Sequence, residues 1–235
     1  MALDLSWDPT VDPVEDGYDV PNRKFMTLTI RPNTTWKLNV TAEVITPRDL
    51  DESHITKYPL LLYTYAGPSR RMVRSEAQFR WVEYISSFYK VVVLIVDGRG
   101  TTGRGQSYGG FTVGHLLAHH DNLDIIKCGI SIAPVTDFRF YNTAYSERYL
   151  GLYSTNGEIY HAAQFAGKKF LLVHGMADDN VHIIQSTKLL QALMENHIDV
   201  DYLFYPDQNH SLGDVRDHFL AKKTQFLMQC YNKTV

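Results

Sequence analysis

Residues 169–180 of the chain read KFLLVHGMADDN, a short apolar run that is followed by a glycine and, three residues later, by two aspartates. A continuous apolar run of this length is typical of a strand that is buried on both faces of a parallel sheet. Similar runs lie at residues 60–65, 91–96 and 128–133, and a weaker one at 200–205. The stretch therefore predicts one strand of a mostly parallel sheet, with carboxylates following its carboxyl end.

Helical periodicity and an antiparallel start complete the pattern. Apolar residues spaced three and four apart predict helices at 75–88, 109–119, 183–195 and 215–229. Residues 25–30 and 36–45 alternate apolar and polar side chains around a turn, which predicts an antiparallel hairpin. Strands that alternate with helices after such a hairpin indicate an α/β fold with helices on both faces of the sheet. We expect residues 25–235 to form this domain and residues 1–24 to be a linker or an entering arm.

The composition is that of a globular protein without a basic face. The 235 residues are 44% hydrophobic and 21% charged, with a formal net charge of −3, which argues against nucleic acid as a partner. No stretch approaches the ~18 consecutive apolar residues that a membrane span requires. The acidic, proline-punctuated beginning is unlike a signal peptide. We therefore expect any targeting segment of the parent protein to lie outside this chain.

Two cysteines and four N-x-S/T tripeptides bear on the compartment. Cys128 and Cys230 are either a disulfide pair or two buried thiols, and the second state is usual in a cytosolic protein. The tripeptides are acceptor sequences for N-glycosylation and begin at Asn33, Asn39, Asn209 and Asn232. Together these features favour an oxidising compartment outside the cytosol.

Three segments carry the residue types of a nucleophilic hydrolase. Ser107 is the centre of a G-x-S-x-G pattern, whose glycines permit the strained turn that exposes a nucleophile; a plain glycine-rich loop is the alternative. Asp178 follows the run at 169–174, where a carboxylate can orient a histidine, while Asp179 can cap the next helix. His210 lies in a loop after the last predicted strand, although a lone histidine is usually a surface residue. The order serine, aspartate, histidine matches the α/β-hydrolase pattern.

Seven short segments make the resemblance more specific. They read YPLLLYTYAGP, VDGRG, SYGG, KCGISIAPV, YSERYLGL, HGMADDNVH and the NH before the last predicted helix. Over nearly the whole chain, they resemble the catalytic domain of the dipeptidyl peptidase IV branch of the prolyl oligopeptidase family. The resemblance implies that Ser107 is the nucleophile, His210 the general base and then acid, and Asp178 the orienting carboxylate. It also implies an oxyanion hole made of the backbone N–H of Tyr108 and the phenol of Tyr65.

The same resemblance implies a flat pocket for a proline ring. Its residues would be Val135, Phe138, Tyr141, Tyr145, Val181 and Tyr108, with Asn180 holding a substrate carbonyl. The expected substrates are peptides with proline or alanine as the penultimate residue, and neither a cofactor nor a metal ion is implied. The resemblance also pairs Cys128 with Cys230 in a disulfide. A homodimer through the last helix, at 215–229, is a further expectation. The resemblance also implies an extracellular or cell-surface location, with a parent protein that is secreted or anchored as a type II membrane protein.

Two features depart from the family pattern. The β-propeller that precedes the hydrolase domain in this branch, and that grips the free amine of the substrate, is absent from this sequence. The segment from Asp97 to Ser107 is too short for the crossover helix and the strand that deliver the nucleophile in relatives. We therefore expect the sheet to lack that helix and the strand before the nucleophile.

Three functions follow from these patterns. One is a serine peptidase of dipeptidyl peptidase type. Another is an interaction protein that retains the inherited surface but has lost a working nucleophile turn. A small esterase on the same fold would explain the triad, but not the tyrosine-rich pocket or the ADDNVH segment.

Overall fold

A computed structural model gives the structure of the chain and describes residues 19–30, 38–53, 57–64, 72–73, 80–97, 109–118, 126–143, 146 and 162–232. The chain divides into two compact units, Ala2–Ser107 and Tyr108–Val235, and each is described by itself. We call them the N-terminal unit and the C-terminal unit. Among the helices in the described ranges, none is long and apolar enough to cross a membrane.

The N-terminal unit contains a four-stranded sheet and one helix. Its elements are β1 (Asn22–Ile30), β2 (Leu38–Thr46), β3 (Leu60–Thr64), α1 (Trp81–Tyr89) and β4 (Val92–Asp97). The strand order is β1-β2-β4-β3. β1 and β2 pair antiparallel with Asn22 opposite Thr46, which confirms the predicted hairpin. β2 pairs antiparallel with β4, and β3 and β4 are parallel.

A cluster of paired charges is buried in the N-terminal unit. Glu43, on β2, is completely buried, and its Oε1 accepts hydrogen bonds from Arg23 Nε at 2.6 Å and Arg80 Nη2 at 2.9 Å. Glu83 Oε2 accepts the backbone N–H of Arg80 at 2.8 Å, at the start of α1. Buried charges need such partners, because an unpaired one would be strongly destabilising.

The C-terminal unit contains a three-stranded parallel sheet with three α-helices. Its strands are β5 (Cys128–Ile132), β6 (Lys169–Gly175) and β7 (Asp201–Tyr205), in the order β5-β6-β7. Its helices are α2 (Gly109–Ala118), α3 (Ile184–Glu195) and α4 (Arg216–Cys230). Each of these boundaries falls within one residue of the predicted one, because the apolar spacing that defines each element is local to it.

Strand β6 forms the centre of the C-terminal unit and is buried on both faces. Phe170 and Leu172 pack on one side with residues of α2 and α3. Leu171 and Val173 pack on the other side with Phe226 of α4. Helices therefore cover both faces of this sheet, as the continuous apolar run predicts, and the fold is α/β with a mostly parallel arrangement after an antiparallel start.

The described strands belong to two sheets, one of four strands and one of three. The predicted shortening itself falls on residues 98–108, which lie outside the described residues.

A disulfide joins Cys128 at the start of β5 to Cys230 at the end of α4. The two Cα atoms are 6.3 Å apart, and 102 positions separate them in the sequence. This is the pairing that the resemblance implies, and it attaches the last helix covalently to the edge of the sheet.

Candidate active site

The three parallel strands of the C-terminal unit end at one edge of their sheet. The segment after β5 carries Val135 and Phe138, the segment after β6 carries Asp178, and the segment after β7 carries His210. Crevices at the carboxyl ends of parallel strands are where α/β proteins bind ligands. The topology therefore gathers these predicted site residues at one place.

Asp178 and His210 form a hydrogen-bonded pair. His210 Nδ1 donates to Asp178 Oδ2 at 2.7 Å, because an ionised carboxylate can only accept. Asp178 Oδ1 accepts the backbone N–H groups of Asn180 at 2.9 Å and Val181 at 2.8 Å. The carboxylate is buried and held through both oxygens, while the His210 side chain remains about one-third exposed. With its proton on Nδ1, the imidazole keeps Nε2 available as a base.

The structure corrects one assignment made from the sequence. Asp179 was the expected helix cap, but it is exposed, and the N-cap residue of α3 is Ile183, which makes no side-chain capping bond. Asp178 instead closes the turn with one oxygen and holds the histidine with the other. The reason is geometric, since Oδ1 of Asp178 already lies within reach of the N–H groups two and three residues further on.

The loop that carries His210 lies directly against the end of β6. Met176 N donates to Tyr205 O at 2.8 Å, and Ala177 N donates to Gln208 O at 3.0 Å. A Cβ atom added at Gly175 would lie 2.3 Å from Gln208 O and 2.6 Å from Asn209 O. Only glycine permits this approach, so Gly175 helps set the distance between the His210 loop and Asp178.

His174 is a site residue that sequence reasoning missed. Its imidazole is completely buried, with Nδ1 2.6 Å from Ser186 Oγ and Nε2 2.7 Å from the Val181 carbonyl oxygen. Asp178 Oδ2 lies 3.3 Å from the same Nε2. Burial lowers the pKa of His174, which favours the neutral ring. Its sequence position, at the end of an apolar run, is equally typical of a core histidine.

Gln185 was also missed, and it attaches the segment after β5 to the first turn of α3. This buried side chain accepts at Oε1 from the backbone N–H groups of Thr136 and Asp137, both at 2.8 Å. Its Nε2 donates to the Asp137 carbonyl at 2.8 Å. Val135 and Phe138 flank this clamp. A glutamine in a helix is common, so its sequence position carried no signal of the contact.

Two residues predicted to bind substrate lie in contact with each other. Tyr141 Oη donates to Asn180 Oδ1 at 3.4 Å, while Val181 and Phe138 are buried close to 5% exposure. The other predicted members of the site, Ser107, Tyr108, Tyr65 and Tyr145, lie outside the described residues. Their roles stay predictions. In the described part of the chain, no group of three histidine, cysteine, aspartate or glutamate side chains could hold a metal ion.

Comparison with known proteins agrees with this architecture. The sequence model of the prolyl oligopeptidase family matches residues 97–234. Prolyl endopeptidase FAP of Homo sapiens is 30% identical over 264 residues, which cover 91% of this chain and 34% of that protein. Dipeptidyl peptidase 4 of Sus scrofa is 27% identical over 274 residues, which cover 94% of this chain and 35% of the relative.

A solved structure gives the same result. The crystal structure of Porphyromonas gingivalis dipeptidyl peptidase 4 matches with a TM-score of 0.77 and 27% identity, over 94% of this chain and 37% of that one. The sheet topology and the Asp178–His210 pair indicate an α/β-hydrolase, and these relatives belong to the same class. The chain belongs to the prolyl oligopeptidase family, in its dipeptidyl peptidase 4 branch.

The lengths of these matches are informative. The chain spans about a third of the length of the relatives it matches. The alignment with the human relative runs over 264 residues, more than the 235 of the whole chain. That relative therefore has residues inside the matched region that have no counterpart here.

Proposed function

We propose that this chain is the catalytic-domain portion of a serine peptidase that removes Xaa-Pro dipeptides from the N-termini of peptides. The observation that carries the proposal is the Asp178–His210 hydrogen bond of 2.7 Å, with the carboxylate anchored on two backbone N–H groups. A carboxylate held in this way orients a histidine for proton transfer and stabilises the imidazolium that forms. The proposed nucleophile is Ser107, at the centre of the G-x-S-x-G pattern.

The proposed reaction proceeds by acyl transfer. His210 Nε2 accepts the proton of Ser107 Oγ as that oxygen attacks the carbonyl carbon of the scissile bond. The backbone N–H of Tyr108 and the phenol of Tyr65 donate to the negatively charged oxygen of the tetrahedral intermediate. His210 then donates that proton to the leaving amine as the peptide C–N bond breaks. In the second half of the reaction, His210 accepts a proton from a water molecule whose oxygen attacks the acyl carbon, and it returns the proton to Ser107 Oγ as the acyl–oxygen bond breaks.

The proposed specificity rests on the residues around Asn180. Because Asn180 Oδ1 accepts from Tyr141 Oη, its Nδ2 group is the part of the amide that can donate to a substrate carbonyl. Aromatic and apolar side chains, Tyr141 and Tyr145 with Val135, Phe138 and Val181, would enclose the residue before the scissile bond. A proline ring is compact and has no N–H to satisfy, so it suits such a pocket, and alanine is small enough to enter it.

A two-part experiment tests the proposal on the purified chain. A fluorophosphonate probe should label the wild type but not the Ser107→Ala variant, and Gly-Pro-coumarin should be hydrolysed by the wild type alone. Labelling together with turnover of simple esters but not of Gly-Pro-coumarin would favour an esterase instead. If the folded chain is neither labelled nor able to release coumarin, the chain is not a peptidase.

A second function, that of a non-catalytic interaction protein, is favoured by a different observation. The described strands form two sheets, and the alignment with the human relative is longer than this chain. Strain at a nucleophile turn persists only where the surroundings hold it, so a missing strand beside Ser107 would remove activity and leave the surface. This function predicts a folded chain that is not labelled by the probe.

We also propose that α4 contributes to a homodimer. Sedimentation of the purified chain at several concentrations tests this, and a single monomeric species throughout would rule it out at those concentrations.

A further inference from the structure

The buried imidazole of His174 contacts three segments around Asp178. His174, near the end of β6, contacts Ser186 in the first turn of α3 through Nδ1, at 2.6 Å. Through Nε2 it contacts the Val181 carbonyl at 2.7 Å, and Asp178 Oδ2 lies 3.3 Å from the same nitrogen. Its side chain and that of Asp178 are both fully buried. The proposed mechanism assigns no role to this ring.

The partners of His174 define its tautomer. A carbonyl oxygen can only accept a hydrogen bond, so Nε2 must carry a proton in order to donate to Val181. Nδ1 of the neutral ring is then an acceptor, and the Ser186 hydroxyl donates to it. The Nε2–H group that faces Val181 therefore also lies 3.3 Å from Asp178 Oδ2, the oxygen that accepts from His210.

These contacts act on the same turn that fixes the acid. The backbone N–H of Val181 donates to Asp178 Oδ1, while the carbonyl of Val181 accepts from His174. The peptide units on either side of the Val181 Cα are thus held from opposite ends, by the carboxylate and by the imidazole. Rotation of the carboxylate would break the bonds at Oδ1 and move Oδ2 away from both histidines.

We propose that His174 is a positioning residue that holds Asp178 in the one orientation that keeps the proton of His210 on Nδ1. The inference rests on the proposed function for its catalytic meaning, but the geometric effect is independent of turnover. Without His174, the turn at Val181 loses its only described side-chain anchor besides Asp178, and the carboxylate gains freedom to rotate. His210 would then populate the tautomer with its proton on Nε2, which cannot accept a proton from a nucleophile.

The test reads the tautomer directly. Nitrogen-15 NMR of the histidine side chains, in the full chain without substrate, distinguishes a protonated Nδ1 from a protonated Nε2. In the wild type at a pH where His210 is neutral, we expect the Nδ1–H form alone. In His174→Leu we expect a mixture that contains the Nε2–H form. In His174→Gln we expect recovery of the Nδ1–H form, since the amide can donate to Val181 and accept from Ser186.

Two further variants keep the test decisive. His182→Gln changes an exposed histidine of the same loop, whose Nδ1 accepts from Ile184 N, and should leave the tautomer of His210 unchanged. Ser186→Ala removes only the partner of His174 Nδ1 and replaces His174→Leu in the test if that variant does not fold. In Ser186→Ala we expect some Nε2–H form of His210, at a smaller population than in His174→Leu. If folded His174→Leu, or Ser186→Ala in its place, keeps His210 wholly in the Nδ1–H form, His174 is a core residue and the proposal is wrong.

Kinetics separate this inference from the function on which it rests. If the chain hydrolyses Gly-Pro-coumarin, we expect His174→Leu to lower kcat by about 10- to 100-fold, the range produced by displacements of up to about 1 Å, with KM little changed. If the chain is inactive, the tautomer experiment still decides whether His174 positions Asp178. If the chain is inactive but His174→Leu alters the tautomer of His210, the inactivity contradicts the proposed function and the altered tautomer supports the role of His174.

Discussion

The two oxygens of the Asp178 carboxylate have separate partners, so one side chain can close a turn and orient a histidine at the same time. Oδ1 closes a turn by accepting from Asn180 and Val181, whereas Oδ2 faces His210 and His174. Asp179 carries the same charge one position later, but it is exposed to solvent. The two neighbouring aspartates therefore form a matched pair for substitution.

We expect Asp178→Asn to lower fluorophosphonate labelling and peptide hydrolysis by about 1,000- to 10,000-fold. The amide can still accept at the turn, but its NH2 group would face His210 Nδ1 and force the proton to Nε2. Asp179→Asn makes the same change of charge and should alter both rates by less than about twofold. Equal losses in the two variants, measured on folded protein, would show that Asp178 has no special role.

Gly175 offers a second prediction at the scale of one residue. In Gly175→Ala the new Cβ would lie 2.3 Å from Gln208 O, which is a backbone atom and cannot rotate away. The His210 loop must therefore shift, and a shift of about 1 Å should lower kcat/KM by about 100-fold. Overpacking of this kind should also cost about 1–3 kcal/mol of unfolding free energy.

The control for Gly175→Ala lies in the segment between β7 and α4, which also carries His210. At Gly213 an added Cβ would meet only Ser211 Oγ, at 3.5 Å, an ordinary contact distance. Gly213→Ala should therefore leave the rate and the unfolding midpoint close to those of the wild type. A Gly175→Ala variant that behaves like Gly213→Ala would mean that the loop does not lie as close to β6 as the structure places it.

Among the elements, α4 combines a packing role with an unusual charge. It covers one face of the three-stranded sheet through Phe226, and it buries Lys223, which is 5% exposed. Burial lowers the pKa of Lys223 to about 7, and the nearby charge of Arg216 acts in the same direction. The ammonium lies 5.1 Å from the ring centroid of Phe219. Burial of Lys223 therefore lowers the unfolding free energy, because the side chain must either lose its proton or bury its charge when the chain folds.

The stability of the chain should depend on pH through Lys223. In the unfolded chain this lysine has a pKa of about 10.4, so between pH 7 and 10 it binds a proton that the folded state releases. The unfolding free energy should consequently rise with pH over this range, by up to about 1.4 kcal/mol per pH unit. Below pH 7 both states are protonated and this dependence disappears.

Urea unfolding at pH 7.5 and at pH 9.0 measures this effect. Lys223→Met keeps the length and apolar stem of the side chain without the charge, so it serves as the control for all other titrating groups. The rise from the lower to the higher pH should be larger in the wild type than in Lys223→Met. The same rise in both proteins would show that Lys223 titrates normally in the folded chain.

For the whole molecule, the disulfide between Cys128 and Cys230 sets the largest covalent constraint. It joins two residues with a sequence separation of 102, and it connects β5 to α4 in the C-terminal unit. Cross-links of this kind stabilise chiefly by restricting the unfolded chain, and they typically contribute about 2–4 kcal/mol.

We expect the double variant Cys128→Ala, Cys230→Ala to lose about 2–4 kcal/mol of unfolding free energy in urea. Dithiothreitol should lower the unfolding midpoint of the wild type by a similar amount and leave the double variant unchanged. A wild-type midpoint that does not respond to the reductant, although mass spectrometry shows two free thiols, would contradict this contribution.

The amino-acid sequence alone determined the elements of the C-terminal unit to within one residue, because apolar periodicity reflects local burial. It also predicted that Asp178 and His210 lie close together, since their segments follow predicted strands whose carboxyl ends share an edge. Tertiary structure alone decided that Asp178 rather than Asp179 closes the turn. It also revealed the clearance at Gly175 and the contacts of His174 and Gln185. These features depend on atoms brought together from segments up to 49 positions apart, and no local pattern encodes such distances.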